Sequence, residues 1–388
     1  MTQISERING LSPEQMDTLM RKLRGGKASV SATTISARTA SKKRMFDSHR
    51  DENYQLEIDK RGIFDSMSLK LSNRVLPKEG EVEIDVKAAG INFRDVMVAL
   101  GSYPTAPGFD QPEMGVDCAG EIVAVGPGVD NFRIGDAVMC MSQGTFKKYL
   151  TVHAACLMPK PPGFTFEQAA GVPCVFATVQ YAMVDIARLA PGESILIHSA
   201  AGGVGLAAIQ VANHIGAKII ATIGTPEKRE FLKSIGIEHI FDSRSLSFAE
   251  DVLRVTNGRG VDAVLNSLAG EALVKSFEIL APGGRFLELG KRDLAANNPI
   301  GMFPFLRGAS FTGIDLGLFA PERNPKGATR LYGGLGEIFK TGSYKPLPIQ
   351  TFVISDAAVA FSSMMMGKHI GKFVLTFPTA GVPVVETR

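Results

Sequence analysis

The run His198-Ser-Ala-Ala-Gly-Gly-Val-Gly205 has the residue types and spacing of a phosphate cradle. Small residues let the backbone approach a pyrophosphate, and the free N–H groups and positive dipole end of a helix start hold its charge. The run follows the apolar stretch Ser194-Ile-Leu-Ile197 and opens the helical pattern Leu206–Ile215. Strand, glycine turn and helix in that order is the arrangement of a dinucleotide site, although a plain tight turn can also be glycine-rich. The pyrophosphate candidates are Ala201, Gly202, Gly203, Val204 and Gly205. In such sites a carboxylate about 20 residues further on takes the ribose 2′-hydroxyl of NAD. Here the second strand ends Ala221-Thr-Ile-Gly-Thr-Pro226 without an acid, Lys228 and Arg229 follow, and Arg244 lies just past the next strand. A 2′-phosphate takes cations and rejects a carboxylate, so the pattern favours NADPH, held by Lys228 and Arg244. A solvated first helical turn would also carry Lys228 and Arg229. Asn266 and Ser267, at a further strand end, are candidates for the nicotinamide half.

The elements around these residues change character along the chain. Residues 1–50 read as a short helix, capped at Ser12-Pro13 and stopping near Gly25-Gly26, then a flexible linker from Lys27 to Arg44. Its apolar face, Met16, Leu19, Met20 and Leu23, suits either docking to a neighbour or packing on its own domain. From Tyr54 to about Lys160 short alternating strands predominate, such as Val82–Lys87 and Gly120–Val125. From Phe164 to Leu289 strands at Ser194–Ile197, Lys218–Thr222, Ala263–Asn266 and Arg285–Leu289 alternate with helices. The helical stretches are Phe166–Ala190, Val204–Ile215, Pro226–Ile235, Phe248–Thr256 and Glu271–Ile279. That series predicts an α/β Rossmann domain with a doubly wound parallel sheet. After Lys291 the pattern turns irregular and β-like, through Gln350–Ile354 and Lys372–Phe377, which predicts a return to the first domain. The expected organisation is therefore 51–165 with 312–388 as a β-rich substrate domain, and 166–311 as the NADP-binding domain.

Bulk properties exclude several classes. A net charge of +3, with bases and acids interspersed, argues against a nucleic-acid partner. No apolar run is long enough to span a bilayer, and the N-terminus lacks a signal-peptide core, so the cytoplasm is the expected location. Cys118, Cys140, Cys156 and Cys174 form no C-x-x-C pair and read as free, buried thiols. The segment Gly115-Val-Asp-Cys-Ala-Gly120 resembles the zinc alcohol dehydrogenase signature, but Val116 stands where a His would follow the first glycine. With no closely spaced cysteines and no His pair elsewhere, no metal is expected.

From about Tyr54 to Phe377 the chain resembles the enoyl reductase domains of polyketide synthases and animal-type fatty acid synthases. These are zinc-free members of the medium-chain dehydrogenase/reductase class, with a GroES-like substrate domain. The resemblance rests on Gly90-Ile-Asn-Phe-Arg-Asp-Val96, Leu100-Gly-Ser-Tyr-Pro104, Met114–Gly120 and the glycine run. Ser243-Arg-Ser245, Leu265–Gly270, Phe286-Leu-Glu-Leu-Gly-Lys291, Gly290-Lys-Arg-Asp293 and Lys368-His-Ile-Gly-Lys372 complete it. It implies hydride delivery from NADPH to the β-carbon of an enoyl thioester carried on an acyl carrier protein, then protonation of the α-carbon. It places Lys291 and Asp315 at the active site, Lys291 as proton donor or oxyanion partner and Asp315 as its orienting charge partner. An ordinary Lys–Asp pair at a domain seam is the alternative. Tyr103 matches a tyrosine that donates the α-proton, for which a phenol is a workable acid, or is simply packed in its loop. Asn92 resembles the residue beside the nicotinamide ribose, and Arg94 with Asp95 reads equally as a loop-fixing ion pair. Phe303 and Phe305 suit either an acyl channel or the core.

The implied partners are an acyl carrier protein and neighbouring synthase domains, with the chain a monomer or a homodimer. Met1 suits a separate polypeptide, whereas the linker-like start suits a piece of a multienzyme. Three other readings stay open: a free-standing quinone or enone reductase, an enoyl-reductase-like enzyme that closes a cyclopropane, and a non-catalytic scaffold domain.

Overall fold

The computed structural model describes residues 43–48, 50–105 and 111–386. The helix expected after Ser12 lies outside the described residues, as does the linker up to residue 42. Lys43 and Arg44 correct the end of that linker, because β1 (Lys43–Met45) pairs antiparallel with a strand at the far end of the chain, Pro383–Val385. Arg44 bridges Glu52 and Glu386, and the ring of Phe46 meets Tyr54 edge-on at 4.8 Å.

The β-rich part is built from β2 (Glu52–Ile58), β3 (Met67–Asn73), β4 (Glu81–Ile91), β5 (Asp117–Val125), β6 (Ala137–Met141), β7 (Tyr149–His153) and β8 (Leu157–Pro159). It is followed by β9 (Ser194–Ile197), β10 (Lys218–Ile223), β11 (His239–Asp242), β12 (Val261–Asn266), β13 (Leu280–Glu288) and β14 (Ser310–Gly313). These last six form one parallel sheet in the order β11-β10-β9-β12-β13-β14. The order reverses between β9 and β12, the doubly wound arrangement whose carboxyl edge opens a crevice at that point. The chain then returns. β15 (Ile349–Val353) and β16 (Lys372–Thr376) join β4, β5, β6 and β8 in one sheet, with β7 also on β4, and β17 (Pro383–Val385) joins β1, β3 and β2.

Two expectations about helices are corrected. The stretch Phe166–Ala190 is not one helix but Phe166–Ala170, Pro173–Val179 and a π-helical turn Gln180–Ile186. Pro173 cannot donate to a preceding turn and so restarts the helix at its first position. The stretch after Lys291 holds a short helix Arg292–Ala295 and two longer ones, Pro325–Lys340 and Ala357–Met365. Leu331, Leu335 and Phe339 of Pro325–Lys340 are buried in one apolar cluster with Phe176, whose ring meets Phe339 edge-on at 5.0 Å. The four cysteines are free thiols. Among the described residues no helix is long and apolar enough to cross a membrane.

Candidate active site

The glycine turn sits at the carboxyl end of β9, where the strand order reverses. Ser199 takes a left-handed φ of 53°, a conformation that costs a non-glycine residue and redirects the chain into the turn. Its hydroxyl accepts from Ser267 Oγ at 3.0 Å across the crevice. The helix Gly203–Ile215 begins with Gly202 as its N-cap and no side-chain cap, which leaves N–H donors at its start. A Cβ on Gly205 would lie 2.5 Å from the backbone of Ala200, so only glycine lets the helix pack this close. A Cβ on Gly203 would meet the Lys372 stem at 2.6 Å. Ala201 is buried, and its carbonyl accepts from Gly371 N–H at 2.9 Å, while Gly202 and Gly371 form a parallel bridge.

At the other end of the crevice, Lys228 and Arg244 stand together after β10 and β11. Burial, then the Arg244 charge, lowers the Lys228 ammonium from its ordinary value. Its Nζ donates to Gly367 O at 2.8 Å. Arg244 lies beside the open face of Gly224, its Nε 3.2 Å from where a Cβ would stand. His369 is pushed down to about 4 by burial and by Lys228 and Lys372, and its buried Nδ1 has no hydrogen-bond partner. A helix start without a side-chain cap and neighbouring cations together fit a dinucleotide.

A third cluster joins Asn92 to Lys372 and Asp117, which the sequence did not place together. Register brings the end of β4 beside the starts of β5 and β16, with Gly90 opposite Asp117 and Ile91 opposite Phe373. Lys372 Nζ there donates to Ile91 O at 3.0 Å and Asn92 Oδ1 at 2.7 Å, and lies 3.5 Å from Asp117 Oδ2. Asn92 Nδ2 donates to Asp117 Oδ1 at 2.9 Å. Asp117 is fully buried and Lys372 3% exposed. Burial pushes the Asp117 carboxyl up while Lys372, Asn92 and the Cys174 N–H pull it down. Gly90 is obligatory because a Cβ would sit 2.6 Å from Asp117 Oδ1. The sequence named Asn92 alone as a candidate and carried Asp117 and Lys372 inside the blocks Met114–Gly120 and Lys368–Lys372.

The same cluster tests for zinc. Cys174 is the thiol beside Asp117, and burial with that carboxylate pushes it up to about 12. The charge that Asp117 faces is already the Lys372 ammonium. Among the described residues no group of three or more His, Cys, Asp or Glu is arranged to hold a metal ion. These residues do not fit zinc.

At the ends of β12 and β13, Asn266 is buried and turned inward. Its Nδ2 donates to Leu268 O at 2.7 Å and to the carboxylate of Glu288. Ser267 beside it is the exposed residue on this edge. Glu288 also accepts from Gly290 N–H, so it clamps two strand ends just before Lys291. Lys291 is half-buried and its Nζ donates to Ile314 O at 2.9 Å. Asp315 is exposed, and its Oδ1 accepts from Gly317 N–H at 3.0 Å, capping the turn Leu316–Phe319. The expected Lys291–Asp315 charge pair is thus replaced by a lysine–carbonyl bond, because the start of that turn takes the carboxylate. Phe305 packs on Phe277 at 5.1 Å, and Phe303 is exposed under Arg307. Tyr103 is half-buried in the loop after the helix Phe93–Leu100, its ring 5.2 Å from the Arg94 guanidinium carbon.

Burial pushes the Glu288 carboxyl up to about 7, against its Asn266 and Gly290 donors. Between its ordinary 4.5 and about 7 the folded chain therefore holds a proton that the unfolded chain has lost. Stability from this group is full below that window and falls as pH rises through it. Thermal unfolding should drop by a few degrees across the window in the wild type and change less in Glu288→Gln. Equal slopes in melts of the two proteins would refute this.

Two family models match the chain, the alcohol dehydrogenase GroES-like domain over residues 78–162 and the zinc-binding dehydrogenase over residues 203–332. The chain is 42% identical over 339 residues to the phthioceranic/hydroxyphthioceranic acid synthase of Mycobacterium tuberculosis, covering 87% of this chain and 16% of that protein. It thus spans about one sixth of the length of this curated relative. Among solved structures, the CurK enoyl reductase is 37% identical with a TM-score of 0.76, covering 84% of this chain and 99% of that one. The CurF ER cyclopropanase from the curacin A biosynthetic pathway is 33% identical, with the same TM-score and coverage. With a doubly wound sheet, a GroES-like partner and near-complete coverage of such a reductase, the chain belongs to the polyketide synthase enoyl reductases of the medium-chain dehydrogenase/reductase family.

Proposed function

We propose that this chain is an NADPH-dependent enoyl reductase that saturates the α,β double bond of an acyl-carrier-protein-bound enoyl thioester during polyketide assembly. The observation that carries the reading is one edge. The glycine turn, Ser267 and Lys291 leave adjacent parallel strands β9, β12 and β13 at their carboxyl ends. The N–H groups at the start of the helix Gly203–Ile215 would hold the pyrophosphate, Lys228 and Arg244 the 2′-phosphate, and Asn92 and Ser267 the nicotinamide side. When bound, the reduced nicotinamide supplies a hydride to the β-carbon. The π pair moves onto the thioester oxygen, where the Lys291 ammonium neutralises the growing charge. Tyr103 then gives its phenolic proton to the α-carbon, and water reprotonates the phenolate.

The test follows NADPH oxidation with crotonyl thioesters of pantetheine, coenzyme A and a carrier protein, and weighs the products. Turnover that improves on the carrier protein supports the reading, whereas turnover with quinones alone overturns it. Each charged hydrogen bond to the 2′-phosphate is worth roughly 1.5–3 kcal/mol, so Lys228→Ala with Arg244→Ala should raise KM for NADPH by roughly 100-fold or more. KM for NADH should hardly move. A parallel loss for both cofactors would remove Lys228 and Arg244 from the 2′-phosphate site. The similarity to the CurF cyclopropanase supports a second outcome for substrates with a leaving group on the γ-carbon. There the enolate closes a three-membered ring and expels that group, which a product mass lower than that of the saturated product by the leaving group and one proton would reveal.

A further inference from the structure

The block Asn92-Phe-Arg-Asp95 holds together as one hydrogen-bonded unit. Asn92 caps the helix Phe93–Leu100 reciprocally with Asp95, whose Oδ2 accepts from Asn92 N–H at 2.8 Å. The Asp95 carboxylate is fully buried, and its Oδ1 accepts from Gly115 N–H at 2.9 Å. The same oxygen faces Arg94 Nη1 at 3.4 Å. Arg94 Nη1 also donates to Glu113 O at 3.0 Å, which fixes the guanidinium against a second loop. Its charged plane then lies over the Tyr103 ring, the guanidinium carbon 5.2 Å from the ring centre. That is within the range of a cation–π contact. The backbone of Tyr103 is held at both polar groups, its N–H donating to Met97 O at 3.2 Å and its carbonyl accepting from Gln111 Nε2 at 2.7 Å. What the backbone leaves free is the torsion that swings the ring, and among the described residues Arg94 is a contact that restrains it.

We propose that Arg94 is a positioning residue that sets the face from which Tyr103 protonates the α-carbon, with Asp95 tying that setting to Asn92 on the nicotinamide side. This rests on the reading of Tyr103 as proton donor. It gives a physical reason for the four residues to occur as a block. Asp95 fixes Asn92 and Arg94 together, so the group beside the hydride donor and the group that steers the acid move as one body. The bond that forms is Cα–H and the bond that breaks is the phenolic O–H. Arg94 exchanges no proton.

The full chain would be assayed with the 2-methylcrotonyl thioester of pantetheine and NADPH, and the configuration at the product α-carbon read by chiral chromatography. Arg94→Met keeps the stem and removes the charged plane; Arg94→Lys restores charge without the plane. Because a small misplacement of a reacting group costs as much as 100-fold, Arg94→Met should lower kcat by about tenfold and give a mixture of epimers. KM for NADPH and for the thioester should stay within about twofold, and Arg94→Lys should recover part of the selectivity. Tyr103→Phe should lose selectivity outright. A single epimer at wild-type kcat from Arg94→Met, with Tyr103→Phe scrambled, overturns the positioning role and leaves the donor reading standing. Wild-type rate and selectivity in Tyr103→Phe overturns the donor reading and the proposal with it. A rise confined to the thioester KM would make Arg94 a substrate contact and overturn the proposal too. Should Arg94→Met unfold, Arg94→Lys alone decides between intermediate and unchanged selectivity.

Discussion

Replacing Lys372 with methionine should destabilise the fold by about 3–5 kcal/mol, the typical cost of stranding a buried charge. Asp117 would lose its cation while still buried against Gly90 and Cys174, and Asn92 Oδ1 and Ile91 O would lose their donor. Methionine conserves the stem that packs on Gly203, so the loss isolates charge from packing. Urea denaturation would show it as a shift of midpoint. Replacing both charges, Lys372→Met with Asp117→Asn, should recover much of the loss, since a neutral side chain there needs no counter-ion. Equal midpoints for wild type and Lys372→Met would mean that the ammonium contributes nothing to the seam.

The second large effect falls on turnover. Lys291→Ala should lower kcat by roughly 100- to 1000-fold, the usual cost of deleting one preorganised donor to a developing oxyanion. KM for NADPH should be nearly unchanged, because the proposed reading holds the phosphates at the glycine turn and at Lys228 and Arg244. Asp315→Asn should keep most of the activity. Its carboxylate accepts from Gly317 N–H and not from Lys291, and an amide oxygen can do the same. Stopped-flow single turnovers with each variant separate these expectations. An Asp315→Asn loss as deep as that of Lys291→Ala would show that the two side chains pair during the reaction.

How far the sequence carries depended on whether a feature is local. β9 runs Ser194–Ile197 as its apolar run indicates, and β10 and β12 differ from expectation by one or two residues, since buried parallel strands are near-continuous apolar runs. The helix Pro325–Lys340 was hidden by Gly327, Gly333, Gly334 and Gly336, which weaken helix propensity. Burial of Leu331, Leu335 and Phe339 outweighs that penalty. The helix Ala357–Met365 is apolar on too many sides to show a stripe. The glycine turn was legible because one short segment builds it. The Lys372–Asp117–Asn92 cluster was not, because β5, β16 and the residue just after β4 supply it and only the pairing of those strands brings the charges together. Glu288 sits in an apolar run, Phe286-Leu-Glu-Leu289, where its carboxylate looks like an outward-facing residue until the strand end turns it toward Asn266.

The contact between Gly371 and the glycine turn bears on how reductases of this kind can be recombined. The peptide N–H of Gly371 holds Ala201 O, and the next residue packs its stem on Gly203, yet some 170 residues of chain separate the two partners. A chimaera whose crossover points fall around residues 203–332 would import the phosphate cradle from one parent and the strand that braces it from the other. Parents that differ around residues 367–372 would then yield a soluble hybrid with a slack cofactor site. Crossovers that carry both segments together avoid that mismatch.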